Sequence, residues 1–221
     1  MSKQTKFIIG IIALIVFVFI LAKVNYKNTE KKVESTNTNQ ASVLEIKAND
    51  WAVGPVDAKV TVVEYLDFEC EACGAYYPVT TQLKEEYKDS MLFVVRYFPL
   101  PGHKNSRTAA HAVEAAGKQG KFWEMYDILF TKQAEWSEQP VANQEQFEKY
   151  AIEAGVTNID QWKTDVMSDD VKNRVEDSYK DAVSLDLQGT PSFFVDSKKV
   201  ESPKGYEAFK KLIDDSLKAA N

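Results

Sequence analysis

The sequence is poor in the residues that build metal centres and disulfide frameworks. Its 221 residues include 2 cysteines and 2 histidines. Two cysteines cannot make a disulfide-dense scaffold, and two histidines leave little material for a metal site. Only 9 glycines and 7 prolines are present, which excludes collagen-like or low-complexity architecture. Basic residues are in deficit too: 27 Lys and Arg stand against 33 Asp and Glu, a formal charge of −6. That balance argues against a broad nucleic-acid footprint. Apolar material is plentiful, at 44% of the chain with 12% aromatic. A real core can form, and a chain disordered throughout is excluded.

One long apolar run stands near the start. Residues 7–22, FIIGIIALIVFVFILA, carry no charge, with Lys3 and Lys6 before them and Lys23 after. At about 1.5 Å per residue the run is slightly short for a bilayer core of roughly 30 Å, but a snorkelling Lys23 extends it. The positive flank places a tail, residues 1–6, in the cytoplasm and sends the rest outward. A cleaved signal peptide is the competing reading. It needs small residues before the cut, whereas Phe19, Ile20 and Leu21 precede Ala22, so an uncleaved signal anchor is favoured. Residues 23–44 are rich in Lys, Glu, Asn, Thr and Ser and read as a flexible tether. The expected location is therefore the cell membrane, single-pass, with residues 45–221 on the extracytoplasmic side.

Those residues alternate strand and helix. Val60 to Leu66 (VTVVEYL) and Met91 to Phe98 (MLFVVRYF) are apolar enough to be strands covered on both faces. The segment after Cys70, which contains Pro78, reads as a helix kinked at that proline. Strand, helix, strand at this spacing is a βαβ unit with parallel strands. A helical block follows, with Ser106 as the cap of its first helix and Gly117 as its end. SFFV at 192–195 is again strand-like, residues 196–199 form a turn, and Tyr206 to Ala219 is a closing amphipathic helix. The fold class is α/β, with an all-helical insertion at about 104–186.

The chemistry lies in Cys70-Glu71-Ala72-Cys73, where a buried strand gives way to a helix. The free N–H groups and dipole of a helix N-terminus stabilise an anion, so Cys70 should ionise more readily than a free thiol. A thiolate attacks a disulfide through a mixed-disulfide intermediate, which a second thiol resolves. Cys70 is then the exposed attacker and Cys73 the resolving thiol. A stapling disulfide over so short a loop would contribute little. Zinc would need two further ligands, and His103 and His111 are badly spaced for it. Both histidines read as packed or solvated, with no link to the cysteines. Glu64 interrupts an apolar strand; buried, it would have a raised pKa and could exchange a proton with Cys73, whereas at a strand edge it would face water.

The run VTVVEYLDFECEACGAYYP resembles the active-site segment of the DsbA-like thiol–disulfide oxidoreductases, which have a thioredoxin fold with an inserted helical domain. The lead-in Gly54-Pro55-Val56-Asp57-Ala58, the motif Phe68-x-Cys70-x-x-Cys73, Tyr97-Phe98-Pro99-Leu100 and Gly189-Thr190-Pro191-Ser192-Phe193-Phe194 match in order. The resemblance implies a cis Pro191 beside the cysteines and a Thr190 backbone free to pair with an extended client, against the alternative of a trans proline opening an edge strand. It also implies the buried-acid role for Glu64. The chain departs from the strongly oxidising relatives between the cysteines, where they carry Pro-His. Glu71 adds negative charge there and Ala72 no hydrogen bond, so a couple between roughly −120 and −270 mV is expected.

The expected function is a membrane-tethered oxidoreductase that introduces disulfides into reduced or unfolded exported proteins. By family analogy a membrane redox partner recycles it. No cofactor, metal or nucleic acid is expected. The alternatives are a reductase or isomerase fed by a membrane electron donor, and a tethered module whose CxxC captures a soft metal.

Overall fold

The structure is a computed structural model that describes residues 21, 23, 42–137, 139–140 and 144–220. The expected tail at 1–6, nearly all of the membrane run at 7–22 and most of the tether at 23–44 lie outside them. Among the described residues no helix is long and apolar enough to cross a membrane. The chain divides into two units, Met1–Val43 and Leu44–Asn221, and the second carries the fold.

Its sheet has five strands: β1 (Trp51–Val53), β2 (Val60–Leu66), β3 (Met91–Tyr97), β4 (Ser192–Val195) and β5 (Lys198–Val200), in the order β1-β3-β2-β4-β5. The β2–β3 pair is parallel, as the βαβ reading requires, and all other pairs are antiparallel. Helix α1 (Glu71–Glu86) connects β2 to β3 and runs unbroken past Pro78. Among the described residues six helices lie between β3 and β4: α2 (Ser106–Gly117), α3 (Phe122–Thr131), α4 (Gln133–Trp136), α5 (Gln144–Glu153), α6 (Ile159–Met167) and α7 (Asp169–Ser184). They are the inserted helical domain. Helix α8 (Tyr206–Ala219) closes the chain.

Successive side chains of a strand point to opposite faces, and this alternation sorts the core. Val60, Val62 and Leu66 share one cluster with Leu83 of α1, Phe209 and Ile213 of α8, and the insertion's Met125, Tyr126 and Phe130. Val63 and Tyr65 face the other side, with Ala182 and Leu187. Both faces are covered, which explains the near-continuous apolar runs of β2 and β3. Glu64 has the parity of Val62 and Leu66, so its side chain is aimed into the cluster that also contains Cys73.

Two local expectations change, and one strand is new. Ser106 lies inside α2 and does not cap it; its hydroxyl donates instead to Asp67 Oδ1. Strand β5 begins at Lys198, so the turn is confined to Asp196 and Ser197, whose φ values are 47° and 63°. The short strand β1 carried no alternation long enough to mark it. It is held by tertiary contacts: Trp51 stacks on Phe122 with centroids 4.4 Å apart and donates to Glu114 Oε2 at 2.7 Å.

The turn from β1 to β2 depends on Gly54. Its φ is +108°, and a Cβ there would lie 2.1 Å from the Met91 carbonyl oxygen. Backbone on both sides cannot yield cheaply. Gly54→Ala should therefore cost about 1–3 kcal/mol. A urea midpoint matching that of the wild type would show that the turn relaxes without strain.

Candidate active site

Strand β2 ends at Leu66, and four residues later the chain turns into α1 with Cys70 as the N-cap, at φ −71° and ψ 120°. No side chain caps this helix, so its first N–H groups are left for whatever occupies the tip. Two contacts hold the connection in place. The Cys70 N–H donates to the Asp67 carbonyl at 3.1 Å. Gln133 of α4 donates to the carbonyls of Phe68 and Cys70 at 2.7 and 2.9 Å.

Both cysteines are free thiols, in different surroundings. Cys73 is 1% exposed, and its sulfur accepts from the Asp67 N–H at 3.5 Å. Cys70, expected to be exposed, is only 9% exposed. Its sulfur sits under Thr190, 3.4 Å from the Thr190 carbonyl, to which it donates while protonated, and Cys70 lines a cavity of about 400 Å³ together with Glu69, Glu71, Ala72, His103 and Ser137.

The two thiols differ in acidity. A hydrogen bond from Cys73 to the Cys70 sulfur is the largest influence holding the Cys70 pKa down to about 5. Burial opposes it, while Thr190 and the N–H groups of Cys73 and Ala72 help. Burial pushes Cys73 well above its ordinary value; donating a hydrogen bond to Cys70 and facing the charges of Glu64 and Cys70 add to this. The pair thus has one thiolate and one retained proton near neutrality. Glu71 is exposed and is not among the leading influences on Cys70.

Glu64 is 2% exposed, and the alternative of a carboxylate facing water does not hold. Burial pushes its pKa up to about 8, with the charge of Lys84 working the other way. Its Oε2 is buried with no hydrogen-bond partner. The Thr190–Pro191 peptide is cis, and these residues line a second groove, of about 320 Å³, with Gln188, Lys199 and Glu201. The structure thus brings Cys70, Cys73 and Thr190 into contact, with Glu64 on the Cys73 side and Pro191 following Thr190.

A model of the thioredoxin family matches residues 47–215. The chain belongs to the thioredoxin family. This thioredoxin-family member has the fold of the DsbA-like thiol–disulfide oxidoreductases. It is similar to alpha-DsbA1 of Wolbachia pipientis, with a TM-score of 0.72 at 21% identity over 81% of this chain and 96% of that one. It is likewise similar to BdbD of Bacillus subtilis in its oxidised form, with a TM-score of 0.68 at 24% identity over 76% and 92%. A thioredoxin-like oxidoreductase from Silicibacter pomeroyi gives a TM-score of 0.66 at 26% identity over 78% and 94%. In sequence, this thioredoxin-family chain is 35% identical over 208 residues to a Mycolicibacterium gilvum protein named Na(+)/H(+) antiporter NhaA 1, covering 91% of this chain and 32% of that protein. A Herminiimonas arsenicoxydans protein named Na(+)/H(+) antiporter NhaA is 32% identical over 195 residues, covering 87% and 30%. The chain spans about a third of the length of these curated relatives.

The sequence reading missed a polar cluster beside Cys70 in this thioredoxin-family site. The Asp67 side chain has no exposed surface. It accepts from the Glu69 and Leu100 N–H groups, each at 2.9 Å, and from the Ser106 hydroxyl. His103 Nδ1 lies 2.6 Å from Asp67 Oδ2, so the reading of His103 as unconnected to the cysteines needs correction. Glu69 accepts from the Asn105 N–H at 2.7 Å and from its side-chain amide at 3.2 Å. The one signal available was the pair of acids flanking Phe68 at the end of an apolar strand. His111 lies on α2, where burial, then Lys172 and Arg107, bring its pKa down to about 4.

Two measurements check these acidities. Iodoacetamide labelling of the reduced protein should place the Cys70 midpoint near pH 5 and leave Cys73 unlabelled at neutrality. A Cys70 pKa between those of strong oxidants (about 3.5) and thioredoxin (about 7) also predicts a glutathione-equilibrated potential between roughly −120 and −270 mV. Equal labelling of both thiols would refute the asymmetry. The second concerns Glu64, which binds its proton more tightly in the folded chain, at about 8, than at its ordinary 4.5. The resulting stability is complete below the unfolded value and is lost as pH rises through the folded one. Between pH 5 and pH 8.5 the reduced wild type should lose on the order of 3 kcal/mol relative to Glu64→Gln. Parallel urea profiles would contradict a buried, neutral Glu64.

Proposed function

We propose that this chain is a membrane-tethered thiol–disulfide oxidoreductase that works outside the cytoplasmic membrane and introduces disulfides into reduced or unfolded exported proteins. The observation that carries this reading is the split acidity of the pair, with Cys70 at about 5 and Cys73 raised. A low-pKa thiol is a good leaving group, so a disulfide that releases it passes readily to a client. The apolar run at 7–22 is the proposed anchor, and a membrane redox partner is the proposed acceptor of the electrons. Antiporter names belong to proteins about three times as long, and we do not carry that activity over.

In the proposed cycle the Cys70–Cys73 disulfide receives a client thiolate at the Cys70 sulfur. The S–S bond breaks, Cys73 leaves as a thiolate, and a client–Cys70 mixed disulfide forms. Glu64, still protonated near neutrality because its pKa is about 8, returns a proton to Cys73. A second client thiolate then attacks the client sulfur of the mixed disulfide and releases Cys70 as a thiolate. Two electrons pass from the client to the pair. Thr190 and Pro191 are the proposed client-binding residues, the Thr190 backbone pairing with an extended chain across the sulfur.

Cys70→Ala should abolish oxidation of a reduced, unfolded client, and Cys73→Ala should accumulate the mixed disulfide. Undiminished oxidation by Cys70→Ala would end the proposal. Thiol trapping in intact cells tests the direction: an oxidised pair is expected, and a reduced pair would assign a reductase instead.

A further inference from the structure

Of the six residues lining the cavity at Cys70, Glu69 and Glu71 are acids and His103 is the one base. Neither carboxyl group is among the leading influences on Cys70, and neither offers a positive charge to a sulfur anion. No positive charge comes from between the cysteines, where Glu71 and Ala72 stand. His103 is fixed in this mouth. Its N–H donates to the Leu100 carbonyl at 3.0 Å, and its Nδ1 is 2.6 Å from Asp67 Oδ2. Asp67 cannot swing away, because the Glu69 and Leu100 N–H groups and the Ser106 hydroxyl hold it from three directions. An imidazole bonded through Nδ1 to a carboxylate is biased toward its charged form and leaves Nε2 outside that bond.

We propose that His103, seated on the buried Asp67 carboxylate, supplies the positive charge that faces the Cys70 sulfur across the cavity. The inference rests on the reading of Cys70 as the reacting thiol, and it makes His103 a positioning residue that acts through its field. Asp67 and Glu69 face it from the β2–α1 connection, and Cys70 and Glu71 from the start of α1; Lys104, its chain neighbour, is exposed. Burial disfavours the charged ring, but the hydrogen bond and charge of Asp67, then the charges of Cys70 and Glu69, raise its pKa above the ordinary 6.5. With Cys70 at about 5, imidazolium and thiolate coexist from about pH 5 to beyond pH 6.5.

The test uses the folded, reduced protein. His103→Gln keeps a donor for Asp67 and removes the charge. It should raise the Cys70 alkylation midpoint by about one pH unit, as should His103→Ala. A shift in the alanine variant alone would mean that His103 only packs, and no shift in either would overturn the proposal equally. Coupling between two titrating groups is reciprocal, so a second measurement needs no change at His103. Its ring titration, followed by NMR, should move down by a similar amount in Cys70→Ser, and an unmoved titration overturns the inference. A wild-type Cys70 midpoint near 8.5, by contrast, would defeat the reading of Cys70 itself, and the His103 inference with it.

Discussion

Asp67 is a charged group in a place without solvent, and the architecture around the cysteines follows from satisfying it. An isolated carboxylate taken out of water is so costly that it must be met by donors or lose its charge. Those donors come from separate parts of the chain: the Glu69 N–H just beyond it, the Leu100 N–H after β3, the Ser106 hydroxyl at the start of α2, and His103 between them. Meeting them draws the β3–α2 loop down onto the end of β2. The same residue turns its own N–H toward the Cys73 sulfur. One buried carboxylate thus sets the shape of the mouth, and the backbone of the same residue reaches the inner thiol.

Sheet geometry supplies the other half of the asymmetry. With one face of β2 packed against α1, α8 and the insertion, a residue of even parity on that strand must enter the core, whatever its polarity. Glu64 is such a residue. Its carboxyl stays neutral at physiological pH because no partner compensates its charge fully. Lys84, the nearby cation, is itself deeply placed among the rings of Phe93, Trp123 and Tyr126, at 4.7 to 5.5 Å from their centroids. A neutral acid next to a protonated inner thiol leaves the outer sulfur as the site's readiest anion. The arrangement keeps charge where a client can reach it and protons where water cannot.

The strands β2 and β3, helix α1, the helical insertion and the cysteine motif were legible because their signals are local. Apolar runs, a CxxC at a strand-to-helix junction and a glutamate among valines are all read within a few residues. Thr190 and Pro191 were legible through the Gly-Thr-Pro-Ser-Phe-Phe run alone. The polar cluster was not. Asp67 meets Leu100 and Ser106 across 33 and 39 positions, and Gln133 meets Cys70 across 63, and no spacing rule reaches that far. Ser106 was misread for the same reason: a serine before an apolar helical face has the pattern of a cap, and only the fold shows that its hydroxyl has another acceptor. Strands of three residues, such as β1 and β5, show too little alternation to be seen. The anchor and tether readings concern a stretch that lies almost wholly outside the described residues.

Gln133 belongs to the insertion, yet its amide spans the carbonyls of Phe68 and Cys70, and a Cβ on Gly74 would come within 2.3 Å of its Oε1. The inserted helices therefore act as a brace on the loop that presents the reactive sulfur. Displacing α4 from that loop would leave two backbone carbonyls without this donor at once. One side chain of the insertion thus joins the packing of the inserted helices to the shape of the loop that carries the sulfur.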